Sequence, residues 1–163
     1  MAASRPGWRE FMQVNEIFLS VQGEGLDAGR LCAFVRFTAC NIRCGYCDTA
    51  YAFYEGAEQT IDTILEQVRA YGAPMACLTG GEPMLQQDIR ELMQRLLDEG
   101  IHVVVETGGT LTLSDLPDEV VKVMDIKTPG ALRRDIPHGK FAQSKQFQRT
   151  HLHYPNLELL TER

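Results

Sequence analysis

The chain predicts an α/β fold, a parallel sheet curled into a partial (β/α) barrel, and three observations predict it. Short apolar, β-branched runs alternate with segments whose apolar residues recur at helical spacing. Strands separated by helices form βαβ units, whose strands lie parallel. Every segment with chemical potential follows a strand, at the end where barrel-like α/β enzymes build their sites. At 163 residues the chain makes about one domain.

The elements follow in order. Val14 to Leu19 is short and mostly apolar, a first strand, and it runs into a glycine-punctuated loop from Ser20 to Gly25. Leu31 to Phe37 reads as a buried strand with three cysteines at its carboxyl end. From Thr60 to Tyr71, Ile61, Ile64, Leu65 and Val68 fall on one helical face. Met75 to Leu78 is a strand that ends in a glycine pair. Between Gln86 and Glu99, Ile89, Leu92, Met93, Leu96 and Leu97 trace a second amphipathic helix, with Gly100 as its C-cap. Ile101 to Glu106 and Val120 to Ile126 are two further buried strands. The sequence shows neither an internal repeat nor a low-complexity stretch.

Composition narrows the function classes. A hydrophobic content of 44% suits a soluble globular protein, and a net charge of −6 argues against a broad nucleic-acid-binding face. There is no apolar stretch of about 18 residues, so no membrane span is expected. The first residues lack the apolar core and cleavage pattern of a signal peptide. Clustered thiols suit a reducing compartment, so the expected location is cytoplasmic.

Those thiols are the most informative feature. The loop reads Cys40-Asn-Ile-Arg-Cys44-Gly-Tyr-Cys47 and has no fourth ligand nearby. A structural zinc site takes four protein ligands, whereas a four-iron cluster held by three cysteines keeps one iron open to a small molecule. Thiolate softness favours either metal over magnesium or calcium, so the loop alone leaves half a zinc site as a serious rival. Cys32 and Cys77 sit in apolar runs and read as small buried hydrophobes. A second motif, Leu78-Thr79-Gly80-Gly81-Glu82-Pro83, closes a strand with paired glycines, where a missing β-carbon lets backbone approach a ligand. An ordinary strand-to-helix turn has the same look.

Together the two motifs resemble the radical S-adenosylmethionine (SAM) enzymes, whose cysteine loop has this spacing with an aromatic residue, here Tyr46, before the last cysteine. The resemblance makes zinc an unlikely occupant and independently implies the partial barrel. Within that superfamily, six segments resemble the 7-carboxy-7-deazaguanine synthase family, in order and at natural spacing. They are Glu16 to Gly25, Arg36-Phe37 with the cysteines, Cys47-Asp-Thr49, Thr79 to Gln86, Glu106 to Gly109 and Met124 to Gly130.

The resemblance implies conversion of 6-carboxy-5,6,7,8-tetrahydropterin to 7-carboxy-7-deazaguanine with loss of ammonia, a step toward queuosine and related deazapurines. It implies a carbon–nitrogen lyase that uses a [4Fe–4S] cluster, SAM and Mg²⁺. A radical formed from SAM takes and returns a substrate hydrogen, and the cofactor supplies the hard chemistry. Cys40, Cys44 and Cys47 would hold the cluster. Tyr46, Gly81, Thr107, Asp125, Ile126 and Lys127 would meet SAM, and Thr49 would help bind Mg²⁺. Val21, Gln22, Gly23, Arg36 and Thr79 would hold the pterin; a guanidinium suits a carboxylate.

Several of these residues have plain alternatives. Lys127 equally reads as a solvated strand-end charge, Arg36 as half of a strand-end salt bridge, and Thr49 as an unremarkable turn residue. His102 reads as a packed core residue, and Glu24 has no assigned role. Implied partners are the pterin, a flavodoxin- or ferredoxin-like electron donor and a second copy in a homodimer, with no nucleic acid and no membrane. Two rival functions are an activase that makes a glycyl radical on another protein and a non-catalytic metal-binding scaffold. The Glu16 to Gly25 segment and Asp125-Ile-Lys127 count against the activase.

The resemblance covers about residues 12–130. Residues 1–11 read as an extension ahead of an internal start at Met12, residues 12–130 as the core domain, and residues 131–163 as a divergent or truncated tail, basic and Gln-rich. The barrel is accordingly expected to be incomplete at its C-terminal end, with activity impaired. Asn156-Leu-Glu-Leu-Leu160 loosely resembles a segment that leads into a further strand.

Overall fold

A computed structural model describes residues 11–127, residue 131 and residues 154–159. Six strands and two α-helices carry the architecture: β1 (Phe11–Val21), β2 (Leu31–Phe37), β3 (Ala57–Thr60), α1 (Ile61–Tyr71), β4 (Met75–Gly80), α2 (Ile89–Asp98), β5 (His102–Thr107) and β6 (Val121–Met124). They form one open sheet in the order β3-β1-β2-β4-β5-β6. β2, β4, β5 and β6 run parallel, as the alternation of strands and helices requires. The result is an α/β fold with an open, partial barrel-like sheet.

The parallel sheet expected from the alternation does not extend to its first and third strands. β1 pairs antiparallel with β2 on one side and with β3 on the other. The connection over residues 22–30 is too short for a parallel crossover, which takes a dozen or more residues, so β1 and β2 form a hairpin. β1 is also longer than the apolar run suggested, because its pairing with β2 continues to Val21↔Leu31. Ser20 and Val21 therefore lie in the strand and not in the loop. β3 was not anticipated: Ala57-Glu-Gln-Thr60 has no apolar alternation and pairs through its backbone at the sheet edge.

Sequence periodicity explains the helical layer. On α1, Ile61, Ile64, Leu65 and Val68 are buried, and on α2, Ile89, Leu92, Met93 and Leu96 are. They pack with Ala33, Val35 and Phe37 of β2, Ala76 and Leu78 of β4, and Val103 and Val105 of β5 in the main core. Each of the larger aliphatic and aromatic side chains among these contributes about 1.5–3 kcal/mol on burial. The Thr60 side chain caps α1 by accepting from Thr63 N, and Gly72 ends the helix at φ 60°. α2 starts at Ile89, the first residue of its apolar face and later than the Gln86 bound expected for the segment. Pro83–Leu85 forms a 3-10 turn, and Gln86 turns inward, accepting from Gln13 N and donating to the Thr38 carbonyl.

Alternate residues of the strands point to the opposite face, which holds the site. There a smaller apolar cluster comprises Cys32, Phe34, Met75, Cys77 and Val104, joined by Phe18, Val121 and Val123. The two cysteines are buried, as their apolar settings implied. His102 is a correction, because it is half-buried and its Nε2 lies 2.8 Å from Asp27 Oδ2 in the β1–β2 connection, with Arg30 on the same carboxylate. Among the described residues no helix is long and apolar enough to cross a membrane.

Candidate functional site

The cysteine loop leaves β2 through two anchored residues. Thr38 N donates to the Gln13 carbonyl and its hydroxyl to the Glu55 carbonyl. Ala39 adopts φ 77°, a left-handed conformation that is costly for a residue with a β-carbon. It is held there because its N–H donates to the Ala52 carbonyl and its own carbonyl accepts from Glu82 N. Cys40 is therefore delivered to a fixed place. Inside the loop, Arg43 donates to the Cys40 and Ile42 carbonyls. Asn41 donates to Thr110 Oγ1 at 2.8 Å, tying the loop to the segment after β5.

The glycine pair at the end of β4 faces this loop. Gly81 N donates to the Phe37 carbonyl, continuing the β2–β4 ladder. A β-carbon on Gly81 would fall on the Ala39 carbonyl, and one on Gly80 on the Phe37 backbone. The close approach that glycine permits here is first of all to the backbone of Phe37 and Ala39, where the sequence reading expected a ligand.

Glu82, 1% exposed, carries the connection onward. Its carboxylate accepts from Thr107 Oγ1 at 2.7 Å, Gly108 N at 3.0 Å and Met84 N at 3.1 Å. Burial raises its pKa, and the three donors offset only part of that.

The sheet face below is layered by register. Phe18, Phe34, Cys77, Val104 and Val121 are successive neighbours across five strands and make an apolar floor, with the Phe18 and Phe34 rings stacked at 5.2 Å. One layer further up the strands, Glu16, Arg36 and Thr79 are neighbours and Glu106 lies beyond them. Arg36 Nε donates to Glu16 Oε1 at 2.8 Å, and Thr79 Oγ1 donates to Glu106 Oε2 at 2.8 Å. Among the described residues the terminal nitrogens of Arg36 donate to no other group, so its two-pronged edge remains for an anion. The plain reading of Arg36 as half of a salt bridge holds, and its terminal nitrogens face the cavity that it helps to line.

These pieces line one cavity of about 390 Å³. Cys40, Cys44 and Cys47 border it on one side, Arg36, Thr79 and Glu106 on its floor side, and Gly80 to Glu82 and Thr107 at the strand ends. Asp125, Lys127 and Tyr46 complete the rim, and Asp48 and Thr49 also reach it. Lys127 pairs with Asp125 and lies 5.4 Å from the Tyr46 ring centre. Glu24, which the sequence left without a role, borders the cavity too. Its pKa is raised by burial and then by Glu106 and Asp125.

Four expected residues do not line the cavity: Val21, Gln22, Gly23 and Ile126. Val21 and Ile126 are exposed. Gln22 is buried, with its Oε1 accepting from Glu24 N and its Nε2 unpartnered among the described residues. Arg43, Glu82 and Glu106 were missed as structural or lining groups. Glu82 and Glu106 stood inside recognised motifs, and a charged residue between two apolar-loop cysteines was the available signal for Arg43.

The cysteines fit a cluster. All three line the cavity, and a four-iron cluster held by three cysteines keeps one iron open to a small molecule on that side. Burial pushes the Cys40 thiol up to about 12 and raises Cys44 as well, so thiolates here call for a bound metal.

Comparison with known proteins agrees with this geometry. The sequence model of the radical SAM superfamily matches residues 34–126. The chain is 42% identical over 123 residues to the 7-carboxy-7-deazaguanine synthase of Koribacter versatilis (strain Ellin345), covering 74% of this chain and 54% of the relative. It is 43% identical over 120 residues to the protein of that name from Chlorobaculum tepidum, with the same coverages, and 41% identical over 122 residues to that from Thermoplasma acidophilum, covering 74% and 58%. The chain thus spans about half the length of the curated relatives it matches. Among solved structures, the crystal structure of QueE from Escherichia coli superposes with a TM-score of 0.61 at 24% identity, over 70% of this chain and 60% of that one. That likeness bears on the fold.

Proposed function

The chain belongs to the radical SAM superfamily, and from that premise we propose that it carries the cofactor and substrate site of a 7-carboxy-7-deazaguanine synthase, converting 6-carboxy-5,6,7,8-tetrahydropterin to 7-carboxy-7-deazaguanine with loss of ammonia. The observation that carries the reading is that the cysteine loop and a row of anion- and amide-binding side chains border the same cavity. The family implies a [4Fe–4S] cluster and SAM. When bound, they supply a carbon-centred radical that removes hydrogen from the substrate.

The chain's own residues bind, orient and shield. Cys40, Cys44 and Cys47 hold the cluster on a loop fixed by Thr38, Ala39 and Arg43. Gly81, Thr107, Asp125 and Lys127 meet SAM, with the Tyr46 backbone beside them. The carboxylates of Glu24, Glu82, Glu106 and Asp125 make the surroundings suited to a cofactor that bears a sulfonium and an ammonium. Arg36 presents its terminal nitrogens to the pterin carboxylate, and Thr79, fixed by Glu106, offers a hydroxyl oxygen nearby. The Val21-Gln22-Gly23 segment lies off this cavity, so its part in holding the pterin is carried by the family resemblance alone. The apolar floor of Phe18 and Phe34 excludes water from beneath the reacting ring.

The proposal extends to Mg²⁺ at Thr49, which borders the cavity beside Asp48; magnesium keeps most of its waters and uses substrate oxygens, so one protein ligand suffices. It includes a flavodoxin- or ferredoxin-type electron donor, a homodimer and a cytoplasmic setting. The test is anaerobic reconstitution followed by incubation with SAM, dithionite, Mg²⁺ and the carboxytetrahydropterin, with product mass as the readout. Formation of 7-carboxy-7-deazaguanine that is lost in Arg36→Ala is the expected result. SAM cleavage with no pterin turnover under any condition would overturn the substrate assignment.

A further inference from the structure

Arg43 lies inside the cysteine loop, directly before Cys44, and its charge has no part in the roles above. It is 3% exposed. Nη1 donates to the Cys40 carbonyl at 2.6 Å and to the Ile42 carbonyl at 2.8 Å. The guanidinium carbon sits 4.2 Å from the centre of the Phe53 ring, with the Tyr54 ring at 5.9 Å. Arg36 and Lys127, the cations that line the cavity, are paired with Glu16 and Asp125, whereas Arg43 lies behind the loop that borders it. Among the described residues no carboxylate pairs with Arg43.

A buried cation without a counter-ion costs several kcal/mol in desolvation. Carbonyl dipoles and an aromatic face offset part of that cost. What remains calls for an anion, and the loop's own cargo is one. A four-iron cube held by three thiolates carries net negative charge when oxidised and one further negative charge when reduced. Reduction potentials of such clusters respond to charge, hydrogen bonding and burial around them. Arg43 brings two of these to the loop, a positive charge and burial, at the position directly before Cys44. A planar, weakly hydrated and permanently charged guanidinium suits a buried position of this kind better than an ammonium does.

We propose that Arg43 sets the redox poise of the cluster: it is a fixed, buried cation that favours the reduced state and so raises the reduction potential, besides bracing the loop that holds the ligands. The step it biases transfers one electron from a low-potential one-electron donor, dithionite in the assay, to the oxidised cluster. The donor is oxidised, the cluster gains one negative charge and no proton moves. Arg43 is thus a positioning and tuning residue, which touches the loop and acts on the cluster through its field.

The inference rests on the cluster reading above, and the experiment keeps the two apart. The parent chain, Arg43→Gln and Arg43→Lys are reconstituted anaerobically, assayed for iron and sulfide per chain, and titrated with dithionite while the reduced cluster is followed by electron paramagnetic resonance. Gln keeps a donor for the loop carbonyls but removes the charge; Lys keeps the charge. Arg43→Gln should load iron like the parent, while its reduced-to-oxidised ratio at a fixed potential falls about tenfold, a midpoint lower by about 59 mV for one electron. Arg43→Lys should stay close to the parent. An unchanged midpoint in a fully loaded Arg43→Gln overturns the proposal. So do equal shifts in both variants, or loss of iron from both, which would make Arg43 a brace alone. A parent chain that takes up no iron overturns the cluster reading itself, at a step the variants do not touch.

Discussion

Gly81 shows how a single missing β-carbon joins two motifs. The ideal β-carbon position coincides with the carbonyl of Ala39, the residue that delivers Cys40, and comes within 3.1 Å of Cys40 N. Even Gly81→Ala therefore has to push β4 away from the cysteine loop and break the Gly81 N to Phe37 carbonyl bond. The expected outcome is a loss of about 2–3 kcal/mol in a urea titration, in the range of overpacking and a broken ladder bond, together with iron loading well below the parent's. Normal iron content with weakened SAM binding would show instead that the glycine serves the ligand alone. The residues that border the cavity were largely legible in the sequence, because cysteine spacing and glycine pairs are local signals. What was not legible was the partner of each group. Nothing in the chain order says that Glu82 serves Thr107 and Gly108, or that His102 turns outward to Asp27 instead of into the core.

At the scale of elements, legibility followed periodicity. α1 and most of α2 were readable because their apolar faces repeat at helical spacing, and the parallel strands because they are continuous apolar runs. β3 was not, since an edge strand held by backbone bonds needs no apolar pattern, and the antiparallel β1–β2 hairpin was hidden by a run of similar strands. Thr60 stands at the junction of two of these elements, ending β3 and capping α1 through Thr63 N at 3.2 Å. Thr60→Ala should cost about 1 kcal/mol, the usual value of an N-cap side chain, read as a lower urea midpoint with an unchanged slope. The β1–β2 connection makes a second, pH-dependent case. The hydrogen bond from His102, together with Arg30, holds Asp27 below its ordinary value of 3.8 despite burial. A carboxylate with a depressed folded pKa contributes stability that is present above its unfolded value and lost as pH falls through its folded one. The stability gap between the parent and Asp27→Asn should therefore be full at neutral pH and close as pH drops below 3.8. A gap that stays constant down to the acid transition would mean that the pair contributes nothing electrostatic.

At the scale of the whole molecule, the site is held from three directions that the chain order keeps far apart. The cysteine loop follows β2, Glu82 follows β4, and the loop after β5 joins both through Thr107, Gly108 and Thr110. The described part of the chain beyond β6 returns to the same place. Gly45 N in the cysteine loop donates to the Ala131 carbonyl. Asn156, in the 3-10 segment Tyr154–Leu159, is fully buried; its Oδ1 accepts from Leu113 N at 2.9 Å, and its Nδ2 donates to the carbonyls of Leu111 at 2.7 Å and Gly109 at 3.2 Å. A side-chain amide that bonds three main-chain groups of one loop pins that loop to a segment more than forty residues away. Asn156→Ala leaves Leu113 N and two carbonyls to find other partners, and each buried unpaired group costs about 1–3 kcal/mol. Water reaching part of the loop limits the loss, so the expected destabilisation is about 2–3 kcal/mol in all. Because the bonds converge on one segment, amide hydrogen exchange should quicken at residues 109–113 well before it does in β4 or β5, whose ladders do not involve Asn156. Exchange that stays at the parent's rate across 109–113 would mean that the loop holds its shape without the distant segment, and that Asn156 merely rests against it.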